Sequence, residues 1–185
     1  MIAMRDHEQC VLEVVESIHD ELELPEGYRA EIIGGQIVVA GPLFGKQAFV
    51  LEEIREVAHN ALPEDHDLYG NVSLKEPGGD RYIPGLALLP DALLKTNTVW
   101  LFPAAACLLA VEVAPPKHAQ RAYRKAAGFA RAGTAVYLLV DQDDRKCVVH
   151  AESEDGAYRT VVEVPFGEDV LLPLSKPITI DTSRF

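Results

Sequence analysis

The stretch AVEVAPPKHAQRAYRKAAGFARAG, residues 110–133, joins an apolar strand pattern to an alanine-rich helix pattern through two prolines. The strand pattern begins upstream as CLLAVEVA and is apolar on both faces apart from Glu112. Such a run is typical of a strand covered on both sides in a mixed sheet. Small and aromatic residues then recur at helical spacing, and Gly133 stands where a helix ends. The stretch therefore predicts a buried strand, with one carboxylate near its end, followed directly by a helix.

The segments on either side predict a mixed α/β fold. Upstream, the patterns indicate an amphipathic N-terminal helix, a β-hairpin over residues 28–40, and a second helix over residues 46–62. Two strands are expected on either side of the turn at residues 77–79, and more extended segments follow the decisive stretch. We expect a mixed sheet of the α+β kind flanked by helices, in a single domain over residues 1–185 whose residues 1–21 form a helical extension.

Composition restricts the classes of protein to which the chain can belong. Its 185 residues are 48% hydrophobic and 25% charged, which is enough to bury one sizeable core. The formal net charge of -12 repels polyanions at long range, so nucleic acid binding would need a local basic patch. The chain has no long apolar run and no secretory signal pattern, and its three cysteines lie far apart in apolar surroundings. We expect a cytoplasmic protein with free thiols and no membrane association.

Glu112 is the residue that most needs a partner. A buried carboxylate is costly unless a cation or hydrogen-bond donors lie beside it. Arg121 and Lys125 lie one helical turn apart, so a return of the helix onto the sheet would bring them near Glu112. The residues alone leave two interpretations open, a structural ion pair and a functional site. For Lys125 the alternative is a solvated helix face, and for His118 it is a surface or packing role.

The arrangement of these segments resembles the Uma family of restriction endonucleases, a branch of the PD-(D/E)XK nuclease-like superfamily. The resemblance rests on Glu112-Val113, the prolines, the helix with Lys125 and the segment FARAGTAVYLLVD. Upstream, LPEGYRAEIIGGQIVV is similar to the opening hairpin of the family, and GDRYIPGLALLP is similar to its Pro-Asp strand. The resemblance covers roughly residues 22–185. It implies a curved mixed sheet flanked by helices, and it makes a homodimer plausible.

The resemblance also implies a metal site. In the family, an Asp after a Pro and the Glu of Glu-Val hold a divalent cation, and a lysine of the next helix assists. Hard carboxylate oxygens suit Mg²⁺ or Mn²⁺, which would polarise the phosphodiester and activate a water. Glu112 and Lys125 match two of these positions, and Glu31 matches an acid of the family hairpin. The Pro-Asp of the family is Pro84-Gly85 here, and glycine offers no ligand.

No neighbour replaces the missing acid easily. Asp80 lies five residues before Gly85 and points to the other face of a continuous strand, and Asp91 lies roughly 20 Å further along. The aspartate that the family places four residues before the lysine is Arg121 here. We therefore expect a pocket in which Glu112 is surrounded by cations, and such a pocket suits an anion better than a divalent metal.

Three functions remain as hypotheses. In the first, metal-dependent nuclease activity is lost, no cofactor is expected, and the old pocket binds or converts a small anionic or polar ligand. Its candidate residues are catalytic Glu112 and Lys125 and ligand-binding Arg121, His118, Glu31 and Gly85. In the second, the chain is an active DNA endonuclease in which Glu112 and Glu31 hold Mg²⁺ or Mn²⁺. In the third, it is a non-catalytic protein-interaction module.

Overall fold

A computed structural model describes residues 2–96 and 98–185, with side chains from Gln9 onward. Its helices are α1 (Ile2–Asp20), α2 (Gly45–His59), α3 (Asp91–Leu94) and α4 (Ala119–Ala132). Its first seven strands are β1 (Arg29–Ile33), β2 (Gln36–Ala40), β3 (His66–Tyr69), β4 (Ser73–Lys75), β5 (Arg81–Tyr82), β6 (Leu86–Pro90) and β7 (Leu101–Pro103). The remaining strands are β8 (Leu109–Ala114), β9 (Val136–Asp141), β10 (Lys146–Glu154), β11 (Ala157–Pro165), β12 (Asp169–Leu172) and β13 (Ile178–Asp181). No helix among these residues is long and apolar enough to cross a lipid bilayer.

The strands form two larger sheets and one small hairpin. A six-stranded sheet has the order β11-β10-β9-β8-β6-β3, and a five-stranded sheet has the order β2-β1-β5-β4-β7. Strands β8 and β9 are parallel and are connected through α4, whereas the other pairs of the six-stranded sheet are antiparallel. The predicted mixed fold, with curved sheets flanked by helices, is confirmed.

The two extended segments around the turn at residues 77–79 differ from the prediction of two continuous strands. Each of them bends and passes from one sheet to the other, so that β3 pairs with β6 while β4 pairs with β5. The two segments cross at the bend, where a Cβ on Gly70 would lie 3.4 Å from the carbonyl oxygen of Gly85. Glycine at these positions lets the two backbones approach closely.

The core lies on both faces of the six-stranded sheet. On one face, Val111 and Val113 of β8 pack in a cluster with residues of α2 and of the β12–β13 hairpin. On the other face, Ala110 and Ala114 pack in a cluster with α4, including Phe129. Because side chains alternate along a strand, both faces of β8 are apolar, and all six of its residues are buried as the sequence predicts.

Local turn chemistry explains the predicted hairpin and the end of α4. Gly34 and Gly35 both have positive φ, at 61° and 70°, in the two-residue turn between β1 and β2. Their backbone N–H groups donate to the two carboxylate oxygens of Asp80 at 2.7 and 2.9 Å, so this buried acid holds the turn. Gly133 ends α4 in the left-handed conformation, with φ of 82°.

The N-terminal helix is attached to the five-stranded sheet by ion pairs. The buried Arg81 of β5 pairs with Glu16 and Asp20 of α1, and Lys75 of β4 also pairs with Glu16. Cys107 and Cys147 are buried as expected, whereas Cys10 is exposed, because it lies on the side of α1 that faces away from the sheet.

Candidate functional site

A buried cluster of opposite charges lies between the two sheets and α4. The Nζ atom of Lys125 lies 3.0 Å from Oε2 of Glu112 and 2.7 Å from Oε1 of Glu31. The three side chains are only 3, 8 and 4% exposed, respectively. The structure therefore brings together three of the residues that the sequence singles out, in an arrangement of two carboxylates on one ammonium.

Each side chain of the cluster is positioned by the side-chain periodicity of its own strand or helix. Glu112 shares its face of β8 with Ala110 and Ala114, and this face is covered by α4. Lys125 precedes the buried Ala126 on the inner side of α4. Glu31 lies two residues before Ile33, which belongs to the same apolar cluster as α4. One side chain from each of three elements thus points into the same buried space.

Further polar groups connect the cluster to the surrounding backbone. The backbone N–H of Ile83 donates to Oε1 of Glu31 at 2.6 Å, so this oxygen accepts from both Ile83 and Lys125. On the α2 side, Nε2 of Gln47 donates to the carbonyl of Val113 at 2.7 Å, and its Oε1 accepts from the backbone N–H of Phe44 at 3.0 Å. These bonds hold the carboxylate of Glu31 and the end of β8 that follows Glu112.

Gln47 is a residue of this region that the sequence interpretation missed. It is buried, and it lies at helical spacing with the buried Val50, Leu51 and Ile54. This spacing could have revealed it.

Burial and mutual charge shift the pKa values of the cluster. Burial raises the pKa of Glu112, and the negative charge of Glu31 raises it further, while Lys125 opposes the shift only in part. Burial by itself would lower the pKa of Lys125, but the two carboxylates raise it above its ordinary value. Lys125 therefore stays charged, and Glu112 holds a proton more readily than an ordinary glutamate.

Position 85 offers no side-chain oxygen to a metal, and the space beside it is filled. A Cβ on Gly85 would lie 2.7 Å from Cδ2 of Leu51 and 3.3 Å from the carbonyl oxygen of Val111. Leu51 is a buried core residue of α2, and α2 covers the face of β8 opposite to Lys125. An acid at position 85 would therefore have to displace Leu51 from the core.

The two acids nearest to position 85 in the sequence are engaged elsewhere. Asp80 accepts bonds from the turn of the β1–β2 hairpin and from the hydroxyl of Tyr82 at 2.9 Å. Asp91 accepts a bond from the hydroxyl of Tyr69 at 2.7 Å. Among the side chains that the structure describes, those of residues 9–96 and 98–185, no group of three or more His, Cys, Asp or Glu is placed to hold a metal ion. With an ammonium between the two remaining carboxylates, the site does not fit a divalent cation.

Arg121 and His118 lie outside the cluster. Both are exposed at the start of α4, and His118 occupies the N-cap position without a capping side-chain bond. Across the described part of the chain, no ion pair or hydrogen bond joins either residue to Glu112. Residues 116–118, which precede α4, are exposed, as is Arg121 in its first turn. Lys125, one turn after Arg121, is buried and contacts Glu112 of the sheet.

Comparisons with known proteins agree on the fold. The model of the Uma2 family, described as "Putative restriction endonuclease", matches residues 16–182. A solved structure titled as a "putative nuclease belonging to DUF820" from Anabaena variabilis ATCC 29413 superposes with a TM-score of 0.66 at 16% sequence identity. The superposition covers 86% of this chain and 88% of that one. No curated protein matches the chain significantly.

Proposed function

The chain belongs to the Uma2 family of restriction-endonuclease-like proteins, and from this premise we propose that it has lost metal-dependent nuclease activity and binds a small polar ligand at its former catalytic site. One observation carries the proposal. Lys125 lies between Glu31 and Glu112, where its ammonium neutralises the acids that a divalent cation would need. Gly85, where the family has an acid, provides no third ligand.

The charge balance of the cluster opposes a divalent cation. Two carboxylates and one ammonium carry a net charge of -1 when all are ionised, and the buried space strengthens every interaction among them. A divalent ion that entered beside Lys125 would meet a like charge in surroundings of low polarity. To bind both carboxylates it would have to displace Lys125 from between them, and this would break two buried ion pairs.

The charge balance of the cluster also limits the charge of the ligand that we expect. An anion at the cluster would be repelled by the surplus carboxylate, so the anionic ligand suggested by the sequence fits less well than a neutral polar one. Each carboxylate has an oxygen in addition to the one that Lys125 contacts, and it can accept a hydrogen bond from a ligand hydroxyl or amine. Glu112, whose pKa is raised by burial, is the group that we assign to any proton transfer with such a ligand.

Metal titration tests the loss of the cation site. The melting temperature of the wild-type protein should not change with Mg²⁺ or Mn²⁺. In Lys125→Met the two carboxylates are released, so the same ions should raise its melting temperature above its own metal-free value. A real site stabilises a protein by about 2.7 kcal/mol at a hundredfold excess over the dissociation constant. The matched control, Lys125→Met combined with Glu112→Gln, should lose this response.

A second candidate, an active Mg²⁺- or Mn²⁺-dependent DNA endonuclease, also has one observation in its favour. Glu31 and Glu112 contact the same Nζ atom, so they lie close enough to share a cation if Lys125 moves. Magnesium sites often use only one or two carboxylates together with waters and substrate phosphates.

Plasmid cleavage separates the two candidates. Wild-type protein and Glu112→Gln are incubated with supercoiled plasmid and Mn²⁺, and Glu64→Gln, which makes the same chemical change at an exposed residue, is the control. We expect no cleavage that depends on Glu112. Cleavage by the wild type and the control that disappears in Glu112→Gln would overturn the proposal and establish the endonuclease.

A further inference from the structure

Strand β11 leaves a long edge of the six-stranded sheet open. It has nine residues and pairs only with β10. Among the described residues, the backbone hydrogen bonds outside the sheet ladders leave the outer edge of residues 157–164 open, and only the carbonyl of Pro165 at its end accepts one, from Glu168. Val161 and Val162 point to opposite faces and are 54 and 47% exposed. Natural proteins usually protect such an edge, because its free N–H and C=O groups pair readily with another strand.

We propose that β11 pairs with β11 of a second copy of this chain in antiparallel orientation, about a two-fold axis at Val161. This register places Val161 opposite itself and Thr160 opposite Val162 of the partner copy. It also places Arg159 opposite Glu163, twice by symmetry. Opposite charges directly across an antiparallel pair stabilise the pairing, and the strand is therefore complementary to itself.

The charges of neighbouring strands support this register. Arg159 pairs with Glu154 on its own chain at 2.8 Å, and Glu163 pairs with Lys146 at 3.1 Å, in both cases on exposed surface. In the paired sheet, Glu163 would lie between Lys146 of its own chain and Arg159 of the other copy, and that Arg159 also contacts Glu154 of its own chain. No like charges come to lie directly opposite each other. A shift of the axis by one residue in either direction would place Arg159 opposite Val161 or Pro165 and lose this match.

Apolar surface beside the strand would also be covered. A groove of about 320 Å³ on one face of β11 is lined by residues that include Val162, Val164 and Leu171. Leu171 is 56% exposed. In the proposed register, Thr160 and Val162 of the second copy continue the sheet next to this groove, so that the apolar surface becomes contiguous across the dimer. The pairing would join two six-stranded sheets into one.

Charge reversal tests the register directly. The wild-type protein should sediment as a dimer of twice 20.3 kDa at about 0.15 M salt, where the mutual repulsion of two acidic chains is screened. Arg159→Glu places Glu opposite Glu163, and Glu163→Arg places Arg opposite Arg159. Each single variant should weaken the dimer at least about tenfold. A mixture of the two single variants should recover the dimer as a heterodimer, because each of its cross-strand pairs is again Glu with Arg. The double variant should also recover it.

A control variant separates an effect at β11 from a change in net charge. Lys95→Glu changes the net charge by the same amount as Arg159→Glu, at a position away from β11, and should leave the dimer intact. Circular dichroism verifies that each variant is folded. A monomeric wild-type protein at all accessible concentrations would overturn the proposal. A dimer that is unaffected by either charge reversal, or a failure of the mixed variants to associate, would do the same, since the contact would then lie on another surface.

Discussion

Lys125 of α4 and Glu31 of β1 form an ion pair of 2.7 Å inside the protein, although they lie in distant parts of the sequence. The expected pocket, in which cations surround Glu112, is instead a cluster with two acids and one base. The ion pair also connects the five-stranded sheet, which contains β1, to the helix that covers the six-stranded sheet. The cluster therefore contributes to the joining of the two sheets as well as to the candidate site.

Loss of the ammonium should destabilise the protein strongly. Lys125→Met leaves two carboxylates buried without a cation, and the removal of one partner from a buried ion pair costs about 3–5 kcal/mol. Urea denaturation at neutral pH measures the change in the free energy of unfolding. The matched variant, which combines Lys125→Met with Glu31→Gln and Glu112→Gln, should lose less than Lys125→Met alone because no charge remains. An equal or greater loss in the triple variant would show that packing, not charge, determines the effect.

An acid restored at position 85 should not create a metal site by itself. Gly85→Asp drives its side chain against Leu51, so we expect destabilisation by about 1–3 kcal/mol and no response to Mg²⁺. Addition of Leu51→Ala makes room for the acid, and the penalty of Gly85→Asp should be smaller in that background than in the wild type. Thermal melting of the four proteins in this cycle checks the coupling. Additive effects of the two changes would contradict the contact between positions 51 and 85.

Gly128 should respond to substitution in the direction opposite to helix propensity. Ala is favoured over Gly inside a helix by about 1 kcal/mol, so propensity alone predicts that Gly128→Ala is stabilising. A Cβ on Gly128 would lie 2.6 Å from Cζ of the buried Tyr82, and we therefore expect net destabilisation. The exposed neighbour Ala127 provides the comparison, because Ala127→Gly should cost only about 1 kcal/mol. Stabilisation by Gly128→Ala in chemical denaturation would be incompatible with this close packing of α4.

His150 should make stability depend on pH. Burial lowers its pKa below the ordinary 6.5, and its Nε2 is buried without a hydrogen-bond partner among the described residues. The folded protein therefore takes up a proton less readily than the unfolded chain. The contribution of neutral His150 to stability is present above the unfolded pKa of about 6.5 and is lost as pH falls through the lower pKa of the folded state. His150→Phe preserves an aromatic ring between Tyr137 and Tyr158 and removes the titration.

Denaturation at two pH values checks the prediction for His150. The free energy of unfolding of the wild type, minus that of His150→Phe, should be smaller at about pH 5 than at about pH 8. A difference that is constant with pH, or one that grows as pH falls, would contradict a neutral buried His150.

Local sequence patterns were sufficient for much of the fold. The glycine pair at residues 34–35 predicts the turn of the hairpin, and Gly133 predicts the end of α4, because these conformations have positive φ and favour glycine. The apolar run around Glu112 predicts a strand covered on both sides. The isolated acid in that run also predicts a pairing with a cation of the next helix, Lys125 or Arg121, since a buried carboxylate needs a partner.

Other features depended on contacts between distant segments. The sequence shows that Gly85 has no carboxylate, but only the fold shows that Leu51 of α2 fills the space beside it. Arg121 and Lys125 share a helix face in the sequence, yet the position of α4 on the sheet exposes one and buries the other. Periodicity identifies which side of an element is apolar, whereas the partner on that side, and the charge it brings, are set by tertiary packing. The sequence by itself therefore determined the elements and the missing ligand, and the tertiary structure decided that Glu31 joins Glu112 and Lys125 in one buried cluster.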